Sequence, residues 1–391
     1  MCAYGCSADV WVSYRICVIH DLHLKQITMT EIGIPKHDLD TPALWTELDA
    51  LERNIASLAQ HFKAAGVAWR PHTKGIKVPA IAHKLLAAGA QGITCAKVSE
   101  AEVMAAAGIH DILIANQIVT PQKITRLVNL QRAQADVKVC VDSLDNAHAI
   151  GAAARDKGVL MNILIEMNTG MNRTGTLPGE ATLALAKQVS DIAGLHLLGL
   201  MTWEGHNLEH QDPDTKRAGI QHSIGQMLDT AQQCRQLGMP IEVLSCGGSG
   251  TYTITSQIAG VTEIQAGGGI FCDMAYQGWG VALEPALFVR STVTSRPAPT
   301  RIILDAGFKT MTRGFASPKL LDVAHVKSVV FSAEHGIVTL DQANDTLKVG
   351  DAVDIVVGYS DATVFAHDTL YGIRDGHVEA VWPILGRGKL Q

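Results

Sequence analysis

The chain has 391 residues, of which 47% are hydrophobic and 18% charged, with a slightly positive mean hydropathy. This composition is typical of a globular protein with a large core, most simply arranged in two domains. A net charge of −6 provides no general basic field, which argues against a nucleic-acid partner. No apolar run is long enough to span a bilayer, so no membrane partner is predicted. The eight cysteines form no CxxC pair and predict reduced thiols in a cytoplasmic protein.

Residues 1–28 differ from the rest of the chain and lack a clear periodicity. They have neither the basic start nor the continuous apolar block of a signal peptide. Possible metal ligands in this segment are Cys2, Cys6, His20 and His23. Their spacing matches no common zinc module. We therefore expect the natural start to be Met29, with residues 1–28 a non-native or disordered extension.

From Asp40 onward, short β-rich runs alternate with helical ones. ALWTELDA precedes LERNIASLAQHFKAAG, VAWRPH precedes VPAIAHKLLAAG, and the alternation continues as far as IEVLSCGG and TEIQAGGG. Roughly eight such units over about 240 residues predict a (β/α)₈ barrel rather than an open doubly wound sheet. We assign residues 44–284 to this barrel. Residues 29–43 are assigned to an N-terminal segment that packs on the β domain at the C-terminal end of the chain.

After Glu284 the pattern changes to short strands with turns at DAG, EHG, VGD and RDG. Residues 285–391 are therefore predicted to form a C-terminal all-β domain. No charged or Pro/Gly/Ser-rich linker separates it from the barrel, so we expect the two domains to pack tightly.

The segment WRPHTKGIK places Arg70, His72, Lys74 and Lys77 directly after a predicted strand. A solvated surface turn is the commonest reason for such a basic cluster. Reactive groups of a (β/α)₈ barrel, however, gather at the C-terminal ends of its strands, which is where this cluster falls.

Two glycine-rich loops, SCGGSGTY and QAGGGIF, follow the last predicted barrel strands. Neither is a GxGxxG or a GxxxxGK[ST] motif, so a dinucleotide site and a P-loop are not indicated. Exposed backbone amides, with the hydroxyls of Ser249 and Thr251, can still bind a phosphate at this position of the barrel. A single loop of this kind would more simply be a tight turn, but the pair favours a site.

A phosphate cradle, a lysine on an early strand and no nucleotide motif together suggest pyridoxal 5′-phosphate (PLP). A lysine amine forms an imine with its aldehyde, and positive neighbours such as Arg70 and His72 favour the uncharged, nucleophilic amine. Lys74 suits this role better than Lys77, which lies where the next helix begins.

Several motifs resemble the D-threonine aldolase and D-serine dehydratase group of fold-type III PLP enzymes, to which alanine racemase is also related. They are RPHTK, TGMNRTG, GGSGTY, LDAGFK, SAEHG and HDTLYGIRDG…VWPILGRGK. The resemblance extends from about Leu39 to Lys389. It implies a small D-amino acid as substrate and a homodimer in which one subunit's barrel meets the other's β domain.

The resemblance also implies roles for individual residues. Lys74 resembles the lysine that binds PLP, with His72 beside it. Arg173 is similar to the arginine near the phenolic oxygen of PLP, and Trp203 to the residue that stacks on its ring. Further residues similar to the phosphate cup and its neighbour are Gly248, Ser249, Gly250, Thr251, Gly267, Gly268 and Tyr276.

Two positions depart from the group. Where the group has a metal-binding His-x-Cys or His-x-Asp pair, this chain has Tyr359 and Asp361. Where its aldolases tend to have a histidine beside the stacking residue, this chain has Glu204, with His206 two positions later. Either the metal site is rebuilt from other residues such as His335 and Asp361, or no metal is bound. Mn²⁺ or Mg²⁺ held by oxygen ligands is a further alternative.

We therefore expect a PLP-dependent lyase that cleaves D-β-hydroxy-α-amino acids to glycine and an aldehyde. Glu204, His206, Tyr359 and Asp361 are the candidate acid–base groups. Glu204 could instead form a salt bridge with Arg70 or His72, and His206 could be an ordinary hydrogen-bond partner. A dehydratase, a racemase and a protein that only carries PLP are the alternative functions, although the last does not need the β domain.

Overall fold

The computed structural model of the protein describes residues 31–133, 136–312 and 314–391. Residues 1–28 and Met29 lie outside these ranges, so the predicted start stays a prediction. The described residues contain two β-sheets, one of eight strands and one of nine. No helix in these ranges is long and apolar enough to cross a membrane.

The strands are β1 Ala43–Glu47, β2 Ala68–Trp69, β3 Ile93–Cys95, β4 Asp111–Gln117, β5 Asp136–Val141, β6 Met161–Met167, β7 Leu195–Thr202, β8 Val243–Cys246, β9 Glu263–Ile264, β10 Leu287–Ala298, β11 Arg301–Leu304, β12 Lys319–Leu320, β13 Val326–Phe331, β14 Gly336–Leu340, β15 Ala352–Val356, β16 Thr369–Arg374 and β17 His377–Pro383. The α-helices are α1 Leu48–Ala65, α2 Pro79–Ala87, α3 Val98–Ala106, α4 Pro121–Arg132, α5 Leu144–Asp156, α6 Glu180–Ser190, α7 Pro213–Gln236, α8 Tyr252–Thr255, α9 Met274–Gly278 and α10 Ser360–Phe365.

The eight-stranded sheet is parallel and runs in the order β2-β9-β8-β7-β6-β5-β4-β3. Its two ends meet through a parallel bridge between His72 and Thr94, just beyond β2. The amide of Thr94 also donates to the carbonyl of Pro71 at 2.9 Å. These contacts bring the ends together and confirm the predicted barrel. Because of these contacts, the residues that follow β2 lie on the C-terminal face of the barrel.

Strand β1 does not lie in the barrel, although its sequence continues the strand–helix alternation. It pairs antiparallel with β10, where Leu44 faces Val289, and parallel with β16, where Trp45 faces Tyr371. A strand in the middle of a sheet with both faces covered carries the same continuous apolar run as a barrel strand. The run alone therefore did not reveal which sheet β1 joins. The domain boundaries as such stay a prediction.

The nine-stranded sheet has the order β13-β14-β11-β10-β1-β16-β17, with β15 joined to β10 and to β12. Helix α10 interrupts this predominantly β region, whereas the sequence predicted only strands there. Its first amide, that of Ser360, donates to the Asp273 carboxylate at 2.6 Å. The cap thus comes from a residue distant in sequence.

The barrel and the second sheet share one apolar core. The largest cluster of buried side chains includes Leu51 and Phe62 of α1, Ile264 of β9 and Ile355 of β15. Helix α1 ends at Gly66, whose φ of 66° is the left-handed conformation that glycine adopts most readily. The shared core holds the C-terminal residues in a defined position over the end of the barrel.

Candidate active site

Lys74 lies in a short 3₁₀ turn, Thr73–Gly75, on the C-terminal face of the barrel. The Nδ1 atom of His72 accepts a hydrogen bond from the Lys74 amide at 3.3 Å and caps this turn. The Lys74 side chain is 46% exposed, and its Nζ atom lies 3.6 Å from Oδ2 of Asp361. The amine is therefore accessible to a ligand and has a carboxylate of the C-terminal region beside it.

Lys77 has a different environment. Its side chain is buried and paired with Glu100, which is buried as well. An ammonium group held in a buried ion pair is not available to bind an aldehyde. The structure thus favours Lys74 over Lys77 as the lysine that binds PLP.

Arg70 does not contribute positive charge beside Lys74, contrary to our expectation. Its fully buried guanidinium donates from Nε to Glu263 at 2.8 Å and from Nη1 to Asp111 at 2.5 Å. Lys138 binds the same Asp111 carboxylate at 2.8 Å. Asp111 and Glu263 begin β4 and β9, so this network lies away from the C-terminal strand ends. Arg70 therefore links barrel strands.

We expect Arg70→Met to lower the free energy of unfolding by about 3–5 kcal/mol, because it leaves the buried Glu263 carboxylate without its partner. Denaturant unfolding measures this change. Arg126→Met is the matched control, because Arg126 pairs with Glu102 in a half-exposed salt bridge whose loss should cost about 0–1 kcal/mol. Equal effects of the two substitutions would contradict a special role of the Arg70 network.

His72 and Arg173 lie on the same face as Lys74. Burial lowers the pKa of His72 well below its usual value, and the nearby charges of Lys74, Lys77 and Arg173 lower it further. The imidazole is therefore neutral at pH 7. Arg173 is 53% exposed, with Nη2 3.8 Å from Oε1 of the buried Glu166. The sequence analysis missed Glu166; its signal was an acidic residue near the end of an apolar strand.

The two glycine-rich loops lie side by side, joined by a hydrogen bond from the Gly269 amide to Ser249 Oγ at 2.8 Å. A Cβ atom at Gly268 would overlap the Tyr276 hydroxyl, and one at Gly267 would overlap the backbone of His72. At Gly248 a Cβ would lie 2.6 Å from the Trp203 ring. Glycine is therefore required for the loops to fit together beside the Lys74 segment.

Thr251 and Glu204 stabilise this cradle from behind. Thr251 Oγ1 donates to Oε1 of Glu204 at 2.7 Å and accepts from the Gly248 amide at 3.1 Å. Glu204 is fully buried and also accepts from Thr255 Oγ1 at 2.8 Å and from the Gly247 amide at 3.2 Å. Burial raises the pKa of Glu204, although these hydrogen bonds oppose the shift. This position does not support the expected catalytic role; Glu204 holds the loop in place.

Because the Thr251 hydroxyl already donates its proton in a hydrogen bond to Glu204, Ser249 is the better hydroxyl to bind a phosphate. Ser249 Oγ accepts from Gly269, so its own proton is available to donate.

Trp203 and His206 follow β7. The Trp203 ring lies against Gly248 and Gly205, at the edge of the cradle. His206 Nε2 lies 3.1 Å from Asn207 Nδ2, while its Nδ1 is buried with no hydrogen-bond partner among the described residues. Burial lowers the pKa of His206. A Cβ at Gly170 would lie 2.5 Å from Nε2, which places the ring beside the TGMNRTG loop. Its acid–base role stays a prediction.

Asp361 is the centre of the site. Its Oδ2 accepts the Tyr359 hydroxyl at 2.9 Å, and its Oδ1 lies 3.5 Å from the Tyr276 hydroxyl. A Cβ at Gly75 would overlap Oδ1, so only glycine beside Lys74 permits this approach. The pKa of Tyr359 is raised by burial and by the charge of Asp361, and burial likewise raises the pKa of Tyr276. Both phenols therefore keep their protons.

Asp273 positions the residues around Asp361. One of its oxygens caps α9 through the Tyr276 amide at 2.9 Å, and the other caps α10 through the Ser360 amide. Burial raises the pKa of Asp273 to about 6. One buried carboxylate thus aligns Tyr276 with the Tyr359–Asp361 pair, a role that its sequence environment did not reveal.

Two further aromatic residues surround Tyr359. The ring centroids of Phe315 and Trp279 lie 5.0 and 6.2 Å from that of Tyr359. Phe315 is 72% exposed. The sequence analysis did not identify either residue, because they belong to different segments that only the tertiary structure brings together.

The residues present fit PLP. An accessible lysine amine, a cradle of glycine amides and the Ser249 hydroxyl are the groups that an aldehyde phosphate needs. A barrel that ends in a cradle of this kind, with the lysine after its first strand and a β domain covering it, defines the alanine racemase-like class of PLP proteins.

Comparison with known proteins identifies the family. Residues 46–274 match the family described as "Alanine racemase, N-terminal domain", and residues 286–373 match the "Putative serine dehydratase domain". The chain is 35% identical to a D-threonine aldolase of Arthrobacter sp over 361 residues, which cover 91% of this chain and 95% of the relative. It is 34% identical to a 3-hydroxy-D-aspartate aldolase of Paracoccus denitrificans (strain Pd 1222) over 374 residues, 91% of this chain and 94% of the relative.

Solved structures of the same group of enzymes are similar to this chain as well. The D-threonine aldolase from Filomicrobium marinum superposes with a TM-score of 0.88 at 33% identity, over 92% of this chain and 99% of the other. The D-threo-3-hydroxyaspartate dehydratase from Delftia sp. HT23 gives a TM-score of 0.83 at 30% identity, over 90% and 99%. The chain belongs to this family of PLP-dependent enzymes, which confirms the assignment made from the sequence motifs.

Proposed function

We propose that this protein is a PLP-dependent aldolase that cleaves D-β-hydroxy-α-amino acids to glycine and an aldehyde. The observation that carries the proposal is the position of Asp361. Its carboxylate lies 3.6 Å from the Lys74 amine and accepts a hydrogen bond from the Tyr359 hydroxyl. A group that can receive a proton from a β-hydroxyl therefore lies beside the amine that binds the cofactor.

The binding roles follow from the geometry. Lys74 would bind the cofactor aldehyde, and the amides of Gly250 and Gly268 with the Ser249 hydroxyl would bind its phosphate. Arg173 lies on the same face, where its exposed guanidinium can bind the phenolic oxygen. The Trp203 ring borders the cradle and limits movement of the pyridine. PLP supplies the aldehyde that binds the substrate amine and the ring that takes up the electron pair released at Cα.

Side chains of the protein take up the proton that the β-hydroxyl of the substrate releases. Cleavage of the Cα–Cβ bond requires the β-hydroxyl to lose its proton as the aldehyde carbonyl forms. Asp361 is the acceptor, directly or through Tyr359, whose hydroxyl already donates to it. His206, with an unpartnered Nδ1, is a second acid–base candidate on the neighbouring loop.

D-Threonine tests the proposal. The purified, PLP-loaded protein is expected to convert it to glycine and acetaldehyde in equal amounts, both identified by mass spectrometry. L-Threonine is the control and is expected to remain unchanged. If D-threonine and 3-hydroxy-D-aspartate both remain intact, the aldolase proposal is wrong.

A dehydratase is the second candidate, because a D-threo-3-hydroxyaspartate dehydratase shares the fold along nearly its whole length. It would convert D-threonine to 2-oxobutanoate and ammonia. A racemase would instead yield an isomer with no cleavage. The same product analysis separates the three reactions.

We further propose a cytoplasmic homodimer, in which the β domain of one subunit covers the barrel of the other. The exposed Phe315 beside the site supports this arrangement, because an aromatic side chain that is 72% exposed suits an interface. Light scattering on the purified protein should give twice the mass of one chain. A monomer that retains full activity would contradict the proposal.

A further inference from the structure

We infer that the position at which this family binds a divalent cation binds none in this protein, because Tyr359, Asp361 and Lys74 form a closed set of hydrogen-bond and ion-pair contacts there. The inference deepens the proposed function and rests on it for the placement of substrate beside Asp361. Whether a cation binds can nevertheless be measured without any substrate.

The groups that contact the Asp361 carboxylate are hydrogen-bond donors. The Tyr359 hydroxyl donates to Oδ2 at 2.9 Å, and the Tyr276 hydroxyl lies 3.5 Å from Oδ1. The Lys74 amine lies 3.6 Å from Oδ2. A cation bound to this carboxylate would displace the Tyr359 proton and meet the lysine at short range. Both effects oppose binding.

Tyr359 is a poor replacement for a metal-binding histidine. A neutral phenol turns its proton toward Asp361 and offers no ligand comparable to an imidazole nitrogen. Mn²⁺ and Mg²⁺ prefer several carboxylate, carbonyl or water oxygens, and here the side chains of this pair supply one carboxylate. With tyrosine at position 359 in place of the family's histidine, one of the two metal ligands of the pair is therefore missing.

The structure offers no replacement ligand in the ranges it describes. His335 is exposed in the turn between β13 and β14, and His367 Nε2 is hydrogen-bonded to the Thr310 carbonyl at 2.8 Å. Within residues 31–133, 136–312 and 314–391, no group of three or more His, Cys, Asp or Glu side chains could hold a metal ion. The described residues thus lend no support to the rebuilt site that the sequence analysis considered, with His335 and Asp361.

Tyr359→His tests the inference, because it restores the His-x-Asp pair of the family. PLP-loaded wild type, Tyr359→His and the control Tyr359→Phe are treated with chelator, transferred to buffer with Mn²⁺, and assayed for bound Mn²⁺ by equilibrium dialysis. We expect neither wild type nor Tyr359→Phe to retain Mn²⁺. Tyr359→His is expected to bind it at least about tenfold more tightly than wild type.

Two results would overturn the inference. One is a full equivalent of Mn²⁺ on wild type that is lost in Asp361→Asn. The other is equally weak binding by wild type and Tyr359→His, which would mean that Tyr359 is not the cause. Unfolding curves of the variants show whether each is folded, so that weak binding by a misfolded variant is not counted.

The proposed function can fail separately. If neither D-threonine nor 3-hydroxy-D-aspartate yields glycine but wild type retains no Mn²⁺, the aldolase proposal is wrong and the inference stands. If glycine forms and chelator abolishes its formation, with Mn²⁺ restoring it, the aldolase proposal stands and the inference is wrong.

Discussion

Lys74→Ala is expected to reduce turnover of D-threonine by at least about 10²-fold, because it removes the side chain that binds the cofactor aldehyde covalently. The protein should also lose the long-wavelength absorbance of PLP held as a lysine imine, because the second lysine of the WRPHTKGIK segment has no accessible amine. Lys77 is buried and paired with Glu100. Absorbance spectra and product formation measure the two effects.

Lys63→Ala is the control, since Lys63 is an exposed lysine in the last turn of α1. It should leave both the absorbance and the turnover unchanged. Lys74→Ala that retained the absorbance would show that another lysine binds PLP, and would remove the basis of the proposed site.

Asp361→Asn is expected to reduce kcat by about 10²- to 10⁴-fold with a smaller change in KM, because the amide accepts hydrogen bonds but cannot take up the β-hydroxyl proton. The lysine imine absorbance should persist, since Lys74 and the cradle are unchanged. Steady-state kinetics with D-threonine and absorbance spectra separate these effects.

Asp341→Asn is a suitable control, because this carboxylate is 59% exposed and its contact with Lys327 is a surface pair of 3.9 Å. Near-normal kcat in Asp361→Asn would move the acid–base role to another group, with His206 the next to test. A loss of the PLP absorbance would instead assign Asp361 to cofactor binding.

Local sequence was sufficient to predict much of the barrel and the position of Lys74 after a strand end. Alternating strand and helix runs depend on short-range periodicity, and the position of Lys74 depends only on where the preceding strand ends. The glycine-rich loops could also be predicted from the sequence, because their conformation depends on the backbone of a few consecutive residues. The continuous apolar run of β1, by contrast, is compatible with either sheet, and its partners β10 and β16 lie far along the chain.

Side-chain direction was harder to predict. Arg70 and Lys74 are four residues apart, yet one points to a buried network with Glu263 and the other to the exposed face. Glu204 was expected to be a base, but its carboxylate is enclosed by the hydroxyls of Thr251 and Thr255. The partners that decide these directions come from other strands and helices, so no short window of sequence contains them.

The sequence by itself determined the class of this protein: a barrel, a lysine at a strand end and two glycine-rich loops, all set by local backbone preferences and short motifs. Tertiary structure decided what surrounds the lysine. Asp273 aligns α9 with α10, and Gly75 lets Asp361 approach Lys74, so that the Tyr359 hydroxyl donates a hydrogen bond to the carboxylate beside the amine. The physical reason is that a side chain's chemistry depends on its neighbours in space, and folding brings these neighbours together from segments almost 300 residues apart, as Lys74 and Asp361 are.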